Sequence, residues 1–291
     1  MQNRILENVP LSDFCTYRVG GIARRVVRVF DSEGLRRVQS EEGDKVVIGR
    51  GSKVLFSDDG FGGVVIVMSG EKVEFFWGEG CSDYGAYVYA DAGVFLPKLV
   101  KDCCERGLAG LEWAVGIPGS VGGAVWMNAG AHGGDAAALT DWVELFRGGE
   151  IIRVSNDECG FGYRKSGFRH GDIITGVRFG LKKGDKDEIE EKMRKYTKIR
   201  REAQPSGFSC GSVFKAVVTA EGRNIPAWEF IDACDLRGVK IGGAEINKKH
   251  ANFIMNTGGA RAEDIKTLIK LIKTEVYIRF GVMLEEEVVY V

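Results

Sequence analysis

The stretch Trp113–Asp135, "WAVGIPGSVGGAVWMNAGAHGGD", decides how the chain is read. Seven glycines, at positions 116, 119, 122, 123, 130, 133 and 134, stand among small apolar residues, and only Asp135 is ionised at neutral pH. Glycine reaches backbone angles closed to other residues and lets another molecule touch the main chain. Two readings follow. Either a ligand lies against this backbone, or the segment is a tightly turned, closely packed β region without one.

A second glycine-rich loop precedes it. In "KVVIGRGSKVLFSDDGFGGVVIVM", from Lys45, an apolar run leads to a Gly/Ser loop, an Asp-Gly turn and a second apolar run. "GRGSKV" (49–54) has the first two glycines of the dinucleotide fingerprint but no third, and it leads into a strand. The phosphate loop G-x4-G-K-[ST] is missing as well, so neither a Rossmann site nor a P-loop NTPase is expected. Two glycine loops inside β structure remain. Successive N–H groups in such turns form anion-binding nests without a helix dipole, and two nests would suit the two phosphates of an FAD.

Outward from these loops, "YVYADAG" (87–93) alternates as a strand does. Leu96, Leu99, Val100, Cys103 and Cys104 fall at helical spacing, with Pro97 in the first turn and Gly107 after the end, which predicts a helix over 95–106. Residues 142–155 read as a hairpin and "DIITGVRFGL" as another strand. The charged run 182–204 reads as a solvated helical connector. Beyond it lie a helix near 225–236, strands near 244–246 and 252–256, a long helix with an apolar stripe at Ile265, Leu268, Ile269, Ile272 and Val276, and a last strand. The expected organisation is α+β: an FAD-binding lobe over 1–70, a second over 71–185, a connector over 186–200 and a smaller α+β substrate-binding domain over 201–291.

Composition excludes several function classes. Of 291 residues, 44% are hydrophobic, and 40 basic side chains nearly balance 41 acidic ones. No basic stripe interleaved with aromatics suggests nucleic acid. No apolar run approaches the ~18 residues of a membrane span, and the N-terminus lacks the pattern of a secretory signal. Seven cysteines (15, 81, 103, 104, 159, 210, 234) are scattered without metal-site spacing. A cytoplasmic protein with free thiols and no metal is expected. His132 and His250 carry no ligand-like spacing and read as structural, and Asp58-Asp59-Gly60 reads as a turn.

Several stretches together resemble the UDP-N-acetylenolpyruvoylglucosamine reductase family. They are "TYRVGG" (16–21), "IGRGSKVLFSDDGFGGVVI" (48–66), "GLEWAVGIPGSVGGAVWMNAGA" (110–131), "FGYRKSGFR" (161–169), "GSVFK" (211–215), "IGGAEINKKHANFIMN" (241–256) and "GVMLEEEVVYV" (281–291). The resemblance covers nearly the whole chain in the family's order. It implies an FAD-binding fold of the vanillyl-alcohol-oxidase type followed by a substrate domain, here of the family's compact type without a long insertion. It further implies non-covalent FAD, NADPH as reductant, and UDP-N-acetylglucosamine enolpyruvate as the small-molecule substrate, reduced to UDP-N-acetylmuramate for peptidoglycan. No protein partner is implied.

The resemblance also implies site residues. Arg164, after Tyr163 in "FGYR", matches the family's catalytic arginine. Ser212 in "GSVFK" matches its proton-donating serine, and Glu287 in "LEEEV" its catalytic glutamate. Taken alone, these three would be a surface ion pair, a turn residue and one charge in an acidic run. In the family's reaction a hydride reaches C3 of the enolpyruvyl double bond and a proton reaches C2, with charge spreading into the adjoining carboxylate. The rigid fork of Arg164 suits that charge, Ser212 would protonate C2, and Glu287 would act as a hydrogen-bond donor beside the carboxylate. Gly49, Gly51, Ser52, Gly116, Pro118, Gly119, Ser120, Gly122 and Gly123 are the candidates for FAD binding. Asn128 would hold the isoalloxazine or the loop itself, and Tyr163 and Lys215 would bind substrate, the lysine at its diphosphate.

The chain departs from the family's pattern at three places. Arg50 and Lys53 replace the usual Gly and Asn, a change expected to bear on pyrophosphate binding and to leave the three catalytic positions untouched. Ala216 stands where an Asn usually helps hold the nucleotide sugar, a lost hydrogen bond of about 0.5–1.5 kcal/mol. Two rival readings are another FAD oxidoreductase of this fold, such as an alcohol oxidase, and a binding protein that has lost catalysis. Nothing suggests covalent flavin attachment for the first, and the three catalytic positions are all present against the second.

Overall fold

The computed structural model describes residues 3–77, 85–219 and 222–291. Two compact units form, and neither is a continuous stretch of chain. One gathers Met1–Leu6, Val26–Arg50 and Val64–Arg200; the other gathers Glu7–Arg25, Gly51–Gly63 and Arg201–Val291. Residues 7–25 and 51–63 join the C-terminal segment in the second unit. Hydrophobic burial explains this: Leu11, Tyr17, Leu55 and Phe56 have no exposed surface, and Val54–Leu55 pairs in parallel with Val289–Tyr290.

The first unit contains helices α1 (Ser32–Gln39), α2 (Leu96–Cys104), α3 (Val121–Trp126) and most of α4 (Lys186–Ala203). Its main sheet is antiparallel, in the order 150–155, 140–147, 173–183, 86–91, 73–77. Alternation decides which face is buried. Val143 and Leu145, Val177 and Phe179, and Ala86, Val88 and Ala90 share one core with Leu96, Leu99, Val100 and Cys103 of α2. The expected hairpin spans Thr140–Arg147 and Glu150–Ser155, with Gly148 and Gly149 both at positive φ in its turn. A smaller core packs Leu35 and Val38 of α1 against Val27, Val29, Val64 and Ile66. There Lys45–Ile48 runs parallel to Val64–Val67.

The glycine stretch departs from its expected form, since α3 lies inside it. Ser120 caps that helix: its Oγ accepts from the Gly123 amide at 3.3 Å. Gly122 permits close packing, since a β-carbon there would lie 2.7 Å from Cβ of Ala92.

The second unit has an antiparallel meander, Lys240–Ile241, Ala244–Ile246 and Ile254–Asn256, with helices α5 (Ala227–Ala233) and α6 (Ala262–Phe280). The predicted stripe of α6 is buried at all five positions. Its first turn receives a remote cap: Asp58 accepts from the amides of Ala262 and Glu263 at 2.8 and 3.0 Å. The Asp-Gly turn therefore ends in a helix cap. Six cysteines are free thiols, and Cys81 lies outside the described residues. Among the described residues no helix is long and apolar enough to cross a membrane, and no cluster of His, Cys, Asp or Glu could hold a metal ion.

Candidate functional site

In the first unit the glycine loops touch. A β-carbon on Gly49 would sit 2.1 Å from Ser120 Oγ, so a larger residue there would displace the hydroxyl that caps α3. Arg50 stacks its guanidinium 4.6 Å above the Phe95 ring, and Phe95 bridges Ser120. Gly116 lies in the left-handed region at φ 74°, the conformation from which a nest of amides is built. Not every candidate amide can serve an anion. Gly122 donates to the Ala92 carbonyl and Gly123 to Ser120, so these two contribute close packing. Pro118 has no N–H, leaving Gly116, Gly119 and Ser120 to offer backbone donors. Small side chains, amides and one arginine fit the charge and close approach of a cofactor diphosphate.

The Arg164 turn is fastened to the chain just after α3. Gly162 and Lys165 exchange backbone hydrogen bonds at 3.0 and 3.2 Å, placing Tyr163 and Arg164 at the tip. Ser166 donates to the Trp126 carbonyl, and Asn128 Nδ2 donates to the Gly162 carbonyl at 3.0 Å. Asn128 Oδ1 accepts from Ala137, so this buried side chain holds the loop by both ends. Arg164 is at φ 53°, a left-handed conformation rare for a side chain of this kind. Its Nη2 donates to the Gly130 carbonyl at 2.6 Å. Tyr163, 45% exposed, lies under the guanidinium with 5.4 Å to the ring centre.

In the second unit the structure brings Ser212 and Glu287 together. The 211–215 segment pairs with the 285–287 segment: Glu287 donates its N–H to the Val213 carbonyl, and Lys215 donates its own to the Glu285 carbonyl. Glu287 is buried, and Lys53 lies 2.7 Å from its Oε2. The same ammonium donates to the Ser212 carbonyl at 2.6 Å. The expectation that Lys53 leaves the catalytic positions untouched is thus overturned, as the reach of a lysine from the 51–53 turn covers both. Cys210 lies against the wholly buried Tyr17, its Sγ 3.2 Å from the phenol. Burial pushes that thiol up, and the Lys53 charge partly opposes the shift.

Gly51, at φ 63°, packs on the Phe14 carbonyl, which a β-carbon would approach to 2.0 Å. Its own carbonyl accepts from Thr16, and Ser52 follows in the same turn. Lys215 pairs with Glu285, so a substrate diphosphate would have to take over that ammonium. His132 stacks on Tyr196 at 4.3 Å, and burial first, then the Arg200 charge, lower its pKa.

The sequence reading passes over Asn252. This buried side chain accepts from the Phe214 amide and donates to the Phe214 carbonyl, both at 2.9 Å, fixing the extended segment that follows Ser212. Asn252→Ala leaves two buried groups unpaired. It should cost on the order of 2–4 kcal/mol, read as a lower urea midpoint at unchanged slope. A midpoint equal to the parent's would refute that assignment.

Comparison with known proteins fits both units. Residues 33–155 match the family described as FAD binding domain. Residues 204–291 match that described as UDP-N-acetylenolpyruvoylglucosamine reductase, C-terminal domain. The chain is 40% identical over 292 residues to UDP-N-acetylenolpyruvoylglucosamine reductase of Chloroherpeton thalassium, with 97% of this chain and 91% of that protein covered. It is 41% identical over 292 residues to the reductase of that name from Carboxydothermus hydrogenoformans, with 98% and 93% covered. Among solved structures it resembles the crystal structure of UDP-N-acetylenolpyruvylglucosamine reductase from Thermus caldophilus. There the identity is 35% and the TM-score 0.82, with 100% of this chain and 99% of that one covered.

Proposed function

Because the chain belongs to the UDP-N-acetylenolpyruvoylglucosamine reductase family, we propose that it reduces UDP-N-acetylglucosamine enolpyruvate to UDP-N-acetylmuramate for peptidoglycan synthesis. It is an FAD-dependent oxidoreductase that takes its reducing equivalents from NADPH. The observation that carries the reading is the pairing of 211–215 with 285–287, which sets Ser212 beside Glu287 within the segment matching the reductase C-terminal domain.

The bound flavin supplies the hydride. Gly116, Gly119 and Ser120 serve its diphosphate, with Pro118 shaping their loop, Gly49 bringing the 49–50 turn against it, Gly51 and Ser52 shaping the adjoining turn, Gly122 and Gly123 keeping α3 close, and Asn128 holding the Arg164 turn. The Arg164 fork takes the charge that spreads into the substrate carboxylate. Tyr163 supports that guanidinium and binds substrate. Ser212 gives its proton to C2, Glu287 orients the carboxylate end, and Lys215 exchanges Glu285 for the substrate diphosphate. The FAD lobes correspond to 1–70 and 71–185, 186–200 connects, and 201–291 binds substrate. We place the reaction in the cytoplasm, where buried free thiols stay reduced, in service of cell-wall growth, shape and division.

The purified protein should be yellow, release FAD on denaturation, and be bleached by NADPH and recoloured by the enolpyruvyl substrate. A colourless protein that also ignores added FAD would refute the reading.

A further inference from the structure

Lys53 reaches the side chain of one proposed catalytic residue of the second unit and the backbone of the other. Its Nζ lies 2.7 Å from Glu287 Oε2 and 2.6 Å from the Ser212 carbonyl oxygen. Its root is fixed as well. The Lys53 carbonyl accepts from the Val289 amide at 2.8 Å, and the next residues, Val54–Leu55, run parallel to Val289–Tyr290. The lysine is therefore held by the strand that follows Glu287 and points back onto Glu287 itself. Burial makes the contact consequential. The glutamate side chain is 8% exposed and the lysine 26%, so removing one partner would strand the other's charge away from water. An ammonium has three donors and no acceptor. Two of them here tie a carboxylate to the backbone of the serine segment, fixing the distance between two groups that chemistry at C2 needs in register.

We propose that Lys53 is a positioning residue of this reductase, which works with a Lys53–Glu287 ion pair anchored on the Ser212 carbonyl in place of a lone glutamate. The inference rests on the reading that Ser212 and Glu287 act on the enolpyruvyl group. Lys53 acts through Glu287, so its effect should fall on the half-reaction that uses Glu287 and should vanish once Glu287 is gone.

The test uses the full-length, flavin-loaded enzyme and separates reduction by NADPH from reoxidation by UDP-N-acetylglucosamine enolpyruvate. Lys53→Met should keep the parent's flavin content and its reduction rate within about 2-fold. Reoxidation at saturating substrate should slow at least ~10-fold, with the half-saturating concentration moving less than about 3-fold. Lys53→Arg, which keeps a charged donor, should recover part of the rate. The double variant Lys53→Met with Glu287→Gln should be no slower than Glu287→Gln alone. A lysine that only props up its loop would instead slow both half-reactions and multiply the loss in the double variant. If Lys53→Met does not accumulate as folded protein, Lys53→Gln replaces it, with the same slow reoxidation expected. Parent-like reoxidation in the uncharged variant, or multiplicative losses, overturns the inference. A parent enzyme that NADPH bleaches but this substrate does not recolour overturns the functional reading, independently of any Lys53 variant.

Discussion

Ser212→Ala should bind FAD and be bleached by NADPH at near-parent speed, yet be reoxidised by the enolpyruvyl substrate at least ~10²-fold more slowly, the low end of what a positioned acid contributes. The structure explains why the loss should be confined to one half-reaction. Around Ser212 the chain is held by groups other than its hydroxyl: Lys53 bonds its carbonyl, Asn252 brackets Phe214, and Val213 and Phe214 are buried. Removing one oxygen should leave that backbone where it is. Ser212→Cys should restore part of the rate, since a thiol donates a proton from a similar reach. Stopped-flow absorbance at the flavin band measures both steps. Reoxidation of Ser212→Ala at parent speed would show that the serine is not the donor, and equal loss in both half-reactions would show that it merely shapes a turn.

The second large effect should come from Arg164. Here the choice of replacement matters, because φ is 53° and a β-carbon in that region costs ~1–3 kcal/mol. Arg164→Gly removes the guanidinium and relaxes the backbone together, so lost activity would not reflect a broken turn. The turn keeps its other fastenings, Asn128 to the Gly162 carbonyl and Ser166 to the Trp126 carbonyl. Reoxidation by substrate should fall roughly 10²–10³-fold, as when one preorganised donor to a developing anion is removed. Arg164→Lys keeps the charge without the fork and should recover only a fraction. A glycine variant that turns over as fast as the parent would exclude Arg164 from charge stabilisation.

What could be read from sequence followed from local periodicity. The stripe of α6 shows at 3.6-residue spacing and is buried as predicted, and the 140–155 hairpin shows as two apolar runs around a Gly-Gly turn. The glycines were harder, because composition says that a neighbour is close but not which one. Gly122 packs on Ala92, Gly49 on Ser120 and Gly51 on Phe14, so all three are occupied by the protein itself. The α3 helix hid among them because glycine has poor helix propensity, and the Ser120 cap becomes informative only once seen. Lys53 shows the limit most clearly. In its loop it is one charge beside two glycines, and only the fold brings it to Glu287. Motif resemblance pointed to Ser212, Arg164 and Glu287, but a motif carries no information about which residue of another motif it meets in the fold.

The interleaving of the two units bears on how the polypeptide is made. Residues 7–25 and 51–63 leave the ribosome long before 201–291, the segment with which they form one unit. Until then Leu11, Tyr17, Leu55 and Phe56 lack the core that finally covers them, and Asp58 has no helix to cap. Contacts so distant in sequence close slowly, and apolar surface that waits is where nascent chains associate wrongly. Synthesis from the N-terminus therefore cannot finish one unit and move on to the next. Residues made after 7–25 and 51–63, among them Glu287 and the strand that meets Val54–Leu55, are the ones that release these early segments from waiting.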